Sequence, residues 1–78
     1  MTANALLSRI TVDPEQCHGR PCIRGMRMRV VDILQMLAGG MTEKDILDEF
    51  SFLEPEDFQA SIIYVATVLD HPVVRAAE

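Results

Sequence analysis

The feature that most constrains this chain is a change of hydrophobic period at Val30–Val31. Before it, Met26, Met28 and Val30 alternate with Arg27 and Arg29, a period of two. After it, Ile33, Leu34, Leu37 and Ala38 recur at helical spacing, and the helical pattern continues downstream. The pattern predicts an α+β chain, mostly α, in which a short β element precedes helices. Ile10 and Val12 share one face of a strand over Arg9–Asp13, which Asp13–Pro14 ends. A second strand is expected over Met26–Val30, with methionines inward and arginines outward. Gly25 allows a tight bend or bulge at its start.

Three helices are expected over residues 31–71. Gly39-Gly40 stops the first, because glycine accepts the left-handed conformation of a helix end. Thr42 caps the second, Asp45 completes its capping box, and Met41 and Ile46 stand at staple spacing. Pro55 suits the first position of the third helix. Leu53 and Phe58 again have staple spacing, and Glu56 and Asp57 complement the positive helix start. Phe58, Ile62, Val65, Ala66 and Leu69 form one stripe, widened by Ala60, Ile63 and Val68. Helices apolar over so wide an arc are central to a core or an interface. Pro72 marks the end of this helix, and residues 72–78 are read as a tail. Residues 1–78 are thus read as one domain, with the β element over 9–30.

Charge divides the chain at the same place. Residues 1–31 carry five arginines against Asp13 and Glu15, a net +3. Residues 32–78 carry Lys44 and Arg75 against ten carboxylates, a net −8, which together give the formal −5. Segregation of this kind suggests two surfaces with different partners. A chain of 78 residues hides only about 60–65% of the surface of its unfolded form. Yet 49% of its residues are hydrophobic. Further burial against a second copy is therefore expected, with Met26, Met28, Ile62, Val65 and Leu69 in the core or the dimer seam. No segment approaches the ~18 apolar residues of a membrane span, and Met1–Ser8 lacks the pattern of a secretory signal. The chain reads as cytoplasmic, with both cysteines reduced.

Candidate sites follow from the charges. Arg20, Arg24, Arg27 and Arg29 lie within ten positions. On a strand, Arg27 and Arg29 project about 7 Å apart, suiting successive phosphates of a nucleic acid. Pairing with carboxylates of the chain or its dimer is the leading alternative use, and protection of a sheet edge is a further one. The last two helices have the spacing of a helix-turn-helix. However, the would-be recognition helix begins Glu54-Pro55-Glu56-Asp57, which phosphate repels, and Gln59 alone could read a base. Glu43, Asp48, Glu49 and Glu56 belong to an acidic surface that fits either a basic partner or plain solvation. Cys17, His18 and Cys22 offer three donors where a structural zinc needs four, and the other histidine, His71, is far along the chain. No nucleophile–base order and no phosphate loop supports catalysis, so no enzyme activity, metal or cofactor is expected.

Three segments carry a family resemblance. Ile10-Thr11-Val12-Asp13-Pro14, Gly19-Arg20-Pro21-Cys22-Ile23-Arg24-Gly25 and Leu37-Ala38-Gly39-Gly40-Met41-Thr42 occur in that order. The chain in this respect resembles the small bacterial and archaeal family catalogued as domain of unknown function 433, over roughly residues 9–70. The resemblance implies a three-helix, homeodomain-like body with a β-containing N-terminus. It also implies an antitoxin role: neutralising a PIN-like nuclease toxin and, with it, repressing the shared promoter. A stand-alone DNA-binding regulator using the arginine segment is the alternative. The sequence departs from the family pattern in having Met26 for Thr, Met28 for Ile, Arg29 for Pro and Glu54 for a Thr or Ser cap. The last swap is expected to weaken that cap by about 1 kcal/mol.

Overall fold

A computed structural model describes residues 2–70. It contains α1 (Ala3–Leu7), β1 (Ile10–Thr11), a 3-10 turn (Cys17–Gly19), β2 (Cys22–Ile23), α2 (Val30–Ala38), α3 (Glu43–Glu49) and α4 (Pro55–Leu69). A two-stranded antiparallel sheet is therefore followed by helices, and the class is α+β, mostly α. Pro72, His71 and the tail lie outside the described residues.

The second strand is not where alternation placed it. β2 pairs with β1 in the register Ile10↔Ile23 and Thr11↔Cys22. The reason is the turn that follows. Arg24 and Gly25 both take left-handed backbone, with φ of 44° and 72°. The Met26 N–H donates to the Ile23 carbonyl at 2.7 Å. Two left-handed central residues closed by this bond reverse the chain in the manner of a hairpin turn. Residues 24–27 are spent on the reversal, and the chain rejoins β2 only through the Ile23 N–H to Met28 carbonyl bond (2.9 Å) and a bridge between Cys22 and Arg29. The expected inward and outward order survives without the strand. Met28 is buried, Met26 packs against the core, and Arg27 is exposed.

Helix ends follow the chain's capping chemistry. α2 stops in a Schellman arrangement: the Gly40 N–H (φ 102°) donates to the Leu37 carbonyl and the Met41 N–H to the Met36 carbonyl. Thr42 and Asp45 exchange side-chain and backbone bonds of 3.1 and 3.0 Å at the start of α3. α4 begins with Pro55 in its first turn. α1 has no counterpart in the expectations. Five residues do not hold a helix alone. Here Thr2 accepts the Ala5 N–H at 3.1 Å, Leu6 is buried, and the helix packs on α4.

One core joins these elements: Ile23, Met28, Val30, Ile33, Ile46, Leu53 and Phe58. Six of the seven come from the β element over 9–30 (Ile23, Met28, Val30) or from staple positions (Ile46, Leu53, Phe58), so the core sits where the ribbon meets the helix starts. No helix among the described residues is long and apolar enough to cross a membrane.

Candidate interaction site

At the centre of the junction is a buried carboxylate. Asp57, third residue of α4, has no exposed surface. Its Oδ1 accepts from Arg9 Nη1 at 3.0 Å and from Arg24 Nε at 3.1 Å. Its Oδ2 accepts from Arg24 Nη2 at 2.9 Å and from the Glu54 backbone N–H at 2.8 Å. Burial pushes the carboxyl pKa up, but the Arg24, Glu54 and Arg9 donors outweigh it and hold the group below its ordinary range. Glu54 joins the cluster through Arg9 at 2.8 Å. The Asp57 carboxylate supplies the bond to the start of α4 that a Thr or Ser cap would otherwise reinforce, and Glu54 finds its use in the ion cluster.

This cluster decides what the arginine segment does. Arg24 faces inward on Asp57, and its Nη2 also holds the Phe52 carbonyl at 2.8 Å. Arg29 is the N-cap residue of α2 and lies 2.8 Å from Asp32. Its guanidinium draws the Asp32 carboxyl below the usual range. Arg20 and Arg27 are exposed and make no ion pair among the described residues. The sequence reading left open whether these arginines face outward or pair internally. The fold divides them: Arg24 and Arg29 are paired internally, and Arg20 and Arg27 face solvent. Arg27 and Arg29 do not stand on one strand face. They line a recess of about 310 Å³ together with Cys17 and His18.

Apart from buried Asp57, the carboxylates of α3 and the start of α4 point outward. Glu43, Asp48 and Glu49 are exposed and Glu56 is half-buried. Only Asp48 of these four makes an ion pair among the described residues, with Lys44 at 3.1 Å. Between Glu49 and Glu56 lies Phe52, 45% exposed, its ring edge-on to Phe50 at 6.3 Å between centroids. Sequence reading passed over Phe52. Its signal was available: it is an aromatic in a short connection, outside both flanking helical stripes.

The stripe on α4 divides in the same way. Val65 packs against the core, whereas Ile62 and Leu69 are 52% and 70% exposed. Beside them, Pro21, Val30, Val31, Leu34, Tyr64 and Val65 line an apolar groove of about 290 Å³ between α2 and α4, with Arg20 at its rim.

Both cysteines are free thiols. Cys22 is buried and donates to the Arg20 carbonyl at 3.3 Å. Burial, with a hydrogen bond to Cys17, pushes its thiol up to about 11, so it is protonated at neutral pH. Among the described residues, no three His, Cys, Asp or Glu side chains are grouped to hold a metal.

No curated protein and no solved structure matches this chain. The model of the family described as protein of unknown function (DUF433) matches residues 10–65, from the first strand to Val65 within α4. That span takes in the ribbon, Arg24, Glu54 and Asp57 of the buried cluster, with Arg9 one residue before it, and all of α2 and α3, so the chain belongs to the DUF433 family.

Proposed function

We propose that this chain acts by binding, as the antitoxin of a toxin–antitoxin pair. It docks on a PIN-like nuclease, holds it inactive, and occupies the shared promoter together with it. The observation that carries this reading is Phe52, an aromatic 45% exposed in the connection between α3 and α4, with Glu49 and Glu56 on either side of it in the chain. Aromatic residues, Phe among them, are enriched at protein interfaces, where a few buried anchors carry most of the binding energy. Nuclease grooves are basic because they hold phosphate, and the outward Glu43, Glu49 and Glu56 of α3 and the start of α4 complement such a groove in charge. Internal neutralisation of Arg9, Arg24 and Arg29 supports the same reading, since it removes competing cationic surface. The test is co-expression with the product of an adjacent reading frame encoding a PIN-like protein. A stable complex and relief of growth arrest are expected. Continued arrest with no complex rejects the reading.

A second reading, a stand-alone DNA-binding regulator, rests on the Arg27–Arg29 recess and on exposed Arg20, which makes no ion pair among the described residues. In that case promoter affinity falls steeply with salt, and replacing Arg20 and Arg27 by Ala reduces the log–log slope by about one per arginine. An unchanged slope removes those two side chains from the phosphate contacts.

A further inference from the structure

The geometry points to α4 as the seam of a homodimer, with two copies of the helix packed antiparallel about an axis between Val65 and Ala66. This inference stands apart from the antitoxin reading, and no toxin enters its test. Ile62, Val65, Ala66 and Leu69 lie at i, i+3, i+4 and i+7, one straight stripe about 10 Å long. Ile62 and Leu69 are 52% and 70% exposed at its two ends, and exposed Ala66 near the middle lets a second helix approach closely. The stripe is self-complementary under a two-fold rotation. The midpoint of Ile62 and Leu69 falls between Val65 and Ala66, so antiparallel pairing sets Ile62 against the partner's Leu69, twice.

Charge selects the occupant. From Phe58 to Leu69 the helix carries no ionised side chain. Each chain has a formal charge of −5, and its exposed carboxylates among the described residues lie off the stripe: on α3, at the start of α4, at Asp13 and Glu15, and at Asp70 just past Leu69, which antiparallel pairing sets opposite the partner's Ser61 and not an acid. The distal part of α4 is therefore a surface on which two acidic copies can meet without opposing carboxylates, and it offers no charge by which a different partner would be picked. The exposed parts of Ile62, Val68, Leu69 and Val31 come to roughly 400 Å² per chain, a patch as large as the largest on typical monomers. That is about half of the ~800 Å² each partner contributes to a standard interface. The walls of the adjoining α2/α4 groove, which share Val65 with the stripe, supply further area.

The experiment is sedimentation equilibrium on the full chain over about 1–200 µM, the range of a modest homodimer. A species of twice 8.7 kDa is expected. Ile62→Lys and Leu69→Glu alter exposed positions, so each chain keeps its helical circular dichroism. Each alone raises the dissociation constant at least about 100-fold by placing a charge in an apolar seam. Mixed, the two variants form a heterodimer within about tenfold of the wild-type affinity, because the lysine then meets the partner's glutamate. Val12→Lys, at an exposed apolar position on a different element, leaves the dimer unchanged. A chain that stays at 8.7 kDa, an Ile62→Lys variant that dimerises like wild type, or a mixture that yields no heterodimer overturns the proposal.

Discussion

Replacing Asp57 by Asn should cost this domain about half of its stability. The substitution keeps the shape of the side chain and removes its charge. Arg24 loses the ionic character of its contacts at 3.1 and 2.9 Å, keeping the Phe52 carbonyl and a distant Glu54 oxygen at 4.0 Å. Arg9 keeps Glu54 at 2.8 Å. Asp57 has no exposed surface and its partners are only partly exposed, so water cannot replace what is lost. Removing one member of a buried pair costs about 3–5 kcal/mol. The retained amide can still accept one bond, which places Asn near the lower figure and Ala, which also abandons the Glu54 N–H, near the upper one. A domain of this size has roughly 5–8 kcal/mol in total, and each kcal/mol moves its melting point by about 4–8 °C. Urea unfolding followed by circular dichroism measures the loss. A loss under about 1 kcal/mol refutes the reasoning, because it makes the cluster no better than a surface pair. The same cluster sets the acid limb. The carboxyl binds its proton less readily in the folded chain than in the unfolded one, so its contribution is full above the unfolded value of about 3.9 and fades as pH falls through the lower folded value. Asp57→Asn should therefore flatten the loss of stability below about pH 4, measured by urea midpoints across that range.

Other perturbations separate strong from weak contributions. Gly40→Ala meets no atom within 4 Å but forces an L side chain to φ 102°, and should cost about 1–3 kcal/mol of backbone strain in the same urea assay. Arg29→Ala breaks a half-exposed ion pair one turn from its partner, and should cost at most about 1 kcal/mol. In native protein at neutral pH a thiol reagent should modify Cys17 and spare Cys22, whose reaction should require unfolding. Equal modification rates at the two positions would contradict the burial assigned to Cys22.

The helical half was legible because its instructions are local. Thr42 with Asp45, Gly39-Gly40 and Pro55 each act within one turn of themselves, so their placement needs no knowledge of the rest of the chain. The β half was harder. Period two at Met26–Val30 reports which side chains face the core, and that part held. It does not report hydrogen bonding, which the left-handed pair Arg24–Gly25 redirected to Cys22–Ile23. α1 has too few residues to show a period, and it exists by resting on α4. Asp57 read as an ordinary first-turn acid complementing the helix. Its burial depends on Arg9 and Arg24 arriving from 48 and 33 residues away. The charge segregation was visible, but its meaning was not: part of the positive half is matched to the negative half inside the fold.

The central claim is that the outward acidic face, anchored by Phe52, is the binding surface. Isothermal titration of the purified chain against the proposed PIN-like partner, wild type beside Phe52→Ala, measures it most directly. The account expects the variant to unfold at nearly the wild-type urea midpoint and to bind at least about 30-fold more weakly. Equal dissociation constants for the two chains would contradict it.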